Sequence, residues 1–356
     1  MRSRKKLGMF DALPSYLGGK RRMAGVIFGE INKVIPRKHW PALTFLDAFM
    51  GGASIALSAK ARGFGKVIGT DLALRSVTVG QALIANSRVK LMKEDVVRIL
   101  APRDGPPGRV EREMVPTVFT RSQARAIDNA LAIAAQTEDV AKAALFRLLA
   151  MRVAMLAHPY SQIRGGTIHR LETQEYENIT PSATYHYIDG LRLATVGKLW
   201  SLAQMINGGI FQGQGEVRQT DILEALPSIR ADVIYADPPY ASVMSYEKEY
   251  RVLDQILEGL NRPTSPFTKK GGAGQIDRLL ERAVHIPVWL LSFGNAACTL
   301  EELEQKMSRL GRRTKALQLR YLHLPAVATE TKKRENREFL VIGVDPDAAL
   351  IKGAAA

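Results

Sequence analysis

The stretch LTFLDAFMGGASIALSAKARGFGKVIGTDL, residues 43–72, decides the architecture. LTFLDAF is a short apolar run that meets an acid at Asp47, GGASIALSAKARG reads as a helix entered through two glycines, and KVIGTDL reads as a second strand. Strand, helix and strand in thirty residues make a β-α-β unit, which implies a parallel sheet. The DAFMGGAS segment puts Asp47, Phe49, Gly51 and Gly52 at a strand-to-helix turn, where backbone can approach a ligand closely. It lacks the full G-x-G-x-x-G fingerprint, so a tight connection explains it equally well. Asp71, 20 residues after Gly51, ends the next strand, the place of an acid that accepts hydrogen bonds from ribose hydroxyls. An acid capping a strand end is the plain alternative.

Working outward, ADVIYADPPY (231–240) is a third apolar strand, YRVLDQILEGL (250–260) a helix, and IPVWLLSFGN (286–295) and EFLVIGV (338–344) two further strands. These pieces predict one doubly wound α/β sheet split by a long insertion. The insertion opens with the Gly- and Pro-punctuated APRDGPPGR (101–109) and continues through an Ala- and Leu-rich helical stretch near 121–157. It then passes into the polar HPYSQIRGGTIHRLETQEYENITPSATYHYI (158–188). That last segment mixes aromatic, basic and amide side chains without a buried period, as an exposed recognition surface or an ordinary solvated loop would. KKGGAG (269–274) reads as a mobile loop and KKREN (332–336) as a charged turn. The division expected is 1–95 with 205–356 as the core, and 96–204 as an inserted helical and loop-rich region.

The 356 residues include 50 Lys and Arg against 35 Asp and Glu, a formal charge of +15 that favours a polyanionic partner such as nucleic acid. The single cysteine, Cys298, excludes an intrachain disulfide and any multi-cysteine zinc site, and reads as an ordinary buried residue of a reduced, cytoplasmic protein. His158, His169 and His186 lack ligand spacing, so no metal is expected. No apolar run of signal-peptide length follows the basic MRSRKKLGMF (1–10), and no apolar stretch has the length of a membrane span.

The most specific signal is Asp237, Pro238, Pro239 and Tyr240 directly after ADVIYA. Two prolines can neither continue a ladder nor enter a helix interior, so the chain leaves the sheet as a stiff extended loop. Asp237 and the Pro238 carbonyl can both accept from an amino group, and Tyr240 can stack on the planar ring that bears it. A turn needed only for rigidity would require neither the acid nor the tyrosine.

These residues resemble the Dam-like adenine-specific DNA methyltransferases, in which a DPPY loop holds the target amine. SYLGGKRRM (15–23) looks like the family's first cofactor segment, DAFMGGAS like its glycine motif, TDL (70–72) like its ribose-binding acid, and QTDILEAL (219–226) like its acidic segment before DPPY. NREFLVIG (336–343) is also similar. The order resembles the subgroup with cofactor motifs first and target recognition in the middle, and the likeness covers about 10–90 and 215–345 but not the middle. It implies a Rossmann-like S-adenosylmethionine-dependent core with a mixed, mostly parallel sheet. Within it Tyr16, Lys20, Asp47, Phe49, Gly51, Gly52, Asp71, Asp221 and Ile222 would bind the cofactor, Lys20 at its methionine end and Asp221 with Ile222 at its adenine. Tyr16 stands where the family often has Trp, and Leu17 where it has a small residue.

The implied reaction is methyl transfer to the N6 amino group of adenine in double-stranded DNA, on a base flipped out of the stack, without a metal. Restriction-modification is one implied setting, beside host marking and replication control, and a monomer suffices. Tyr160, Gln162, Arg164, His169 and Arg170 are the candidate DNA contacts. The alternatives are an idle DNA-binding protein on the same scaffold, or a methyltransferase acting on RNA or on protein amide, whose loop usually begins with Asn.

Overall fold

The computed structural model describes residues 8–16, 18–103, 105–115, 118–157, 194–239, 250–258, 265–268, 274–294, 299–320 and 337–351. They form two compact units: Tyr16–Gly80, Gly213–Tyr246 and Pro263–Ala356 make one, and Met1–Ser15, Gln81–Gln212 and Glu247–Arg262 the other.

The first unit is built on a sheet whose strands are β1 (Thr44–Asp47), β2 (Lys66–Asp71), β3 (Gln214–Gln219), β4 (Val233–Ala236), β5 (Val288–Gly294), β6 (Arg313–Arg320) and β7 (Arg337–Val344). Their spatial order is β3-β2-β1-β4-β5-β7-β6. The five from β3 to β5 run parallel, and β7 lies antiparallel between β5 and β6. This is the mixed, mostly parallel α/β sheet that the family resemblance implies. Central strands covered on both faces must be apolar throughout, and all four residues of β4 are buried. Leu46, Ile68, Ile234, Trp289, Leu291 and Val341 join one core cluster.

Two strands went unforeseen. β3 (QGEVRQ) and β6 (RTKALQLR) hold the two edges, where only part of each strand is covered and no apolar run is needed. Charges on them pair with their neighbours instead: Lys66 of β2 meets Glu216 of β3 at 2.5 Å, and Lys315 of β6 meets Glu30 at 2.7 Å.

The second unit is helical, with Lys93–Leu100, Arg109–Met114, Arg121–Ala135, Val140–Ala157, Val196–Asn207 and Arg251–Glu258. Its core runs along Ala144, Leu145, Leu148 and Leu149. YRVLDQILEGL, read above as a helix of the sheet layer, contributes Arg251–Glu258 to this unit. The Arg109 guanidinium holds it there by donating to the carbonyls of Gln255 (2.7 Å) and Ile256 (2.6 Å). Arg152 similarly donates to the carbonyls of Asp11, Ala12 and Leu13, at 3.1, 3.4 and 2.6 Å. Among the described residues no helix is long and apolar enough to cross a membrane.

Candidate active site

Because β3, β2, β1 and β4 are parallel, their carboxyl ends lie along one edge, and each delivers an acid there. Asp71 ends β2 and Asp47 ends β1, while Asp221 and Asp237 follow β3 and β4. The chain steps outward from β1 to β2 and β3, then returns to β4 on the other side of β1. Ligands of doubly wound sheets bind at such a switch point, beyond the strand ends.

Asp71 shapes the glycine turn. Its Oδ2 accepts from the Gly51 amide at 2.8 Å and its Oδ1 from the Ala73 amide at 2.9 Å, while burial, above all, raises its carboxyl above the usual range. Gly51 has φ +50°, and a Cβ there would lie 2.9 Å from the Tyr16 ring; at Gly52 it would lie 2.6 Å from the Tyr16 Cβ. Both glycines are therefore required for Tyr16 to lie against the turn. The Tyr16 hydroxyl stands 3.5 Å from Ser76 Oγ, and burial pushes its pKa up.

Asp47 is 1% exposed. Its Oδ2 accepts from the Ala56 amide at 3.0 Å, yet burial, reinforced by Asp237 and Asp71, pushes the carboxyl up to about 8. Among the described residues its Oδ1 has no hydrogen-bond partner. Phe49 packs edge-on against Phe267, ring centroids 4.9 Å apart. Asp221 caps the helix Ile222–Ala225 by accepting from the Leu223 amide at 2.9 Å, with Ile222 buried beside it.

Asp237 emerges from the buried β4 with Pro238 buried behind it. The Lys20 ammonium lies 2.9 Å from both of its carboxylate oxygens. The same ammonium reaches the Gly18 carbonyl at 3.2 Å and Glu338 Oε1 at 3.3 Å, and Glu338 also accepts from Ser292 Oγ at 2.9 Å. The structure thus brings Lys20 to the DPPY loop, 217 residues away in sequence. Glu338 was not singled out above; its only signal is an acid at the mouth of the apolar EFLVIGV. Tyr240 lies outside the described residues, as do Tyr160, Gln162, Arg164, His169, Arg170, Cys298, Leu17 and the segments 158–188, 269–273 and 332–336.

The profile described as D12 class N6 adenine-specific DNA methyltransferase matches residues 16–148. Over that stretch the chain is similar to this D12 adenine-methyltransferase class. The chain is also 28% identical over 346 residues to the Type II methyltransferase M2.HphI of Haemophilus parahaemolyticus, covering 92% of this chain and 96% of the relative.

The donor set fits S-adenosylmethionine on chemical grounds. That cofactor brings a sulfonium and an ammonium, and the strand ends offer acids, one of which holds a buried oxygen without a partner among the described residues. Its ribose needs an acceptor beyond a β-α-β turn, the place where Asp71 stands. Among the described residues no group of three or more His, Cys, Asp or Glu is arranged to hold a metal ion.

Proposed function

We propose that this methyltransferase transfers a methyl group from S-adenosylmethionine to N6 of adenine within a specific site in double-stranded DNA, as a type II modification enzyme. The observation that carries this reading is the Asp237–Pro238 loop, stiffened by proline and tied through the Asp237 carboxylate to the buried Lys20, one strand from the glycine turn. S-adenosylmethionine, when bound, supplies an electrophilic methyl on a sulfonium that leaves readily.

The rest falls to the protein. The adenine amine is a poor nucleophile because its lone pair is delocalised into the ring. Accepting its two N–H groups on Asp237 and the Pro238 carbonyl turns the lone pair out of the ring plane and stabilises the positive charge that develops on nitrogen. That nitrogen ends with one proton too many, and Asp237 takes it; an acid so readily deprotonated needs no strong base. Tyr240 stacks on the base. A duplex hides the amine, so the base is flipped out at a cost of about a few kcal/mol, offset by the pocket.

Asp71 serves the ribose, Asp221 and Ile222 the cofactor's adenine, and Tyr16, Phe49, Gly51 and Gly52 the walls. Residues 1–95 and 205–356 form the catalytic core and 96–204 the target-recognition region, where Tyr160, Gln162, Arg164, His169 and Arg170 meet DNA. The enzyme works in the cytoplasm as a monomer, one strand at a time. Labelled methyl transfer to unmethylated DNA, with adenine and cytosine separated afterwards, tests the reading. Label in adenine, lost in Asp237→Ala, is expected. Label in RNA or protein alone, or none despite cofactor binding, defeats it.

A further inference from the structure

We infer that Glu338 is a positioning residue for methyl transfer, acting on Asp237 through Lys20. The inference rests on the reading above and extends it from the DPPY loop to a residue on β7, a strand antiparallel to the rest of the site.

An ammonium has three N–H groups in a roughly tetrahedral spread, and three directions suffice to fix its rotation. Lys20 points at three acceptors: the Gly18 carbonyl, the Asp237 carboxylate and the Glu338 carboxylate. Gly18 is only two residues away and moves with Lys20, so it cannot anchor the lysine to the sheet. Asp237 is the group to be positioned, so it cannot be its own anchor. Glu338 alone is independent of both: its side chain is 1% exposed, its backbone stands opposite Gly294 in the β5–β7 register, and Ser292 of β5 donates to its Oε1. The carboxylate is thus locked to two strands, with its Oε1 3.3 Å from the lysine ammonium.

Holding a buried acid and a partly buried one around one buried ammonium is costly, and it persists where geometry repays it. Here the repayment is orientation. With Lys20 held between the carboxylates, Asp237 presents its oxygens at the mouth of β4 in a single arrangement, as an in-line reaction demands. Without Glu338, Lys20 would be free to rotate about its stem and take Asp237 with it.

The test is a double-mutant cycle in the full-length enzyme with Glu338→Gln, Lys20→Met and the pair, reading kcat for adenine methylation, S-adenosylmethionine affinity and thermal stability. Glu338→Gln keeps the shape and removes the charge. Its expected effect is a fall in kcat of roughly 10- to 100-fold, as for a misplaced catalytic group, with cofactor affinity unchanged. In the Lys20→Met background the same substitution is expected to leave kcat where it was. Stability supplies a readout independent of turnover: Glu338→Gln should lower the melting temperature when Lys20 is present and raise it when Lys20 is absent, because there it removes a buried acid lacking its cation. Equal effects of Glu338→Gln in both backgrounds, or wild-type kcat in the single variant, overturn the inference while leaving adenine methylation standing. Absence of adenine methylation in the wild type defeats the functional reading instead, and the stability cycle still decides whether Glu338 acts through Lys20.

Discussion

Asp47 shows how much one residue at the strand ends is asked to bear. Its carboxyl is raised from 3.8 to about 8, first by burial and then by Asp237 and Asp71. The sign follows directly: between pH 4 and 8 the unfolded chain ionises this acid and the folded chain does not, so unfolding releases a proton and stability falls as pH rises. Above pH 8 both states are ionised and the loss levels off. Each unit of such a shift is about 1.4 kcal/mol, which makes a cost of a few kcal/mol at the plateau. Asp47→Asn removes the titration, so its melting temperature should equal or trail the wild type near pH 4 and gain on it steadily up to pH 8, then no further. A difference that stays flat from pH 4.5 to 9 would show that Asp47 does not ionise differently on folding. Residues of this kind are legible in sequence, since Asp47, Asp71 and Asp237 each end an apolar run. Lys20 was legible only through family likeness, and Glu338 not at all, because an acid leading into a strand looks like the strand's boundary until a lysine from the other end of the chain is seen beside it.

Among elements, the legible ones are those whose burial is one-sided in pattern or complete. β1, β2, β4, β5 and β7 stand out as apolar runs, whereas β3 and β6 are rich in charged and amide residues and owe their strand form to the neighbour they pair with. Helix Arg251–Glu258 was legible as a helix, but its partner was not, since the pairing is made by Arg109, 146 residues earlier. Short helices depend on such long-range capping. Arg109–Met114 begins at Gly108 with no cap of its own, and Asp128 of the following helix accepts from the Val110 and Glu111 amides at 2.9 and 2.8 Å. Gly108 leaves room for it: a Cβ there would lie 2.3 Å from the Asp128 carboxyl carbon. Asp128→Ala orphans two helix-start donors and should cost about 1 to 2 kcal/mol, measured by denaturant unfolding, with little change in cofactor affinity. A neutral Asp128→Ala would mean that water or another group satisfies those amides.

At the scale of the whole molecule, charge and ligand sign are divided in a way that makes a distinct prediction. The chain is +15 overall, yet the carboxyl ends of the parallel strands, the proposed cofactor edge, are acidic. The surplus of lysine and arginine therefore lies elsewhere, with exposed examples in Arg21, Arg22, Arg37, Lys38 and Lys93. Such a surface binds DNA by displacing condensed counterions, and each phosphate neutralised lowers log K by about 0.9 per decade of salt. An enzyme making about six phosphate contacts would lose about a thousandfold in DNA affinity between about 50 and 200 mM salt. S-adenosylmethionine carries no such atmosphere, so its affinity over the same range should barely move. Fluorescence titration of a labelled duplex and of the cofactor across that range separates the two. A steep slope for DNA beside a flat one for cofactor places the basic surplus on the substrate face. A flat slope for DNA would mean that the positive charge serves some other purpose, and that affinity for the duplex comes from base and pocket contacts alone.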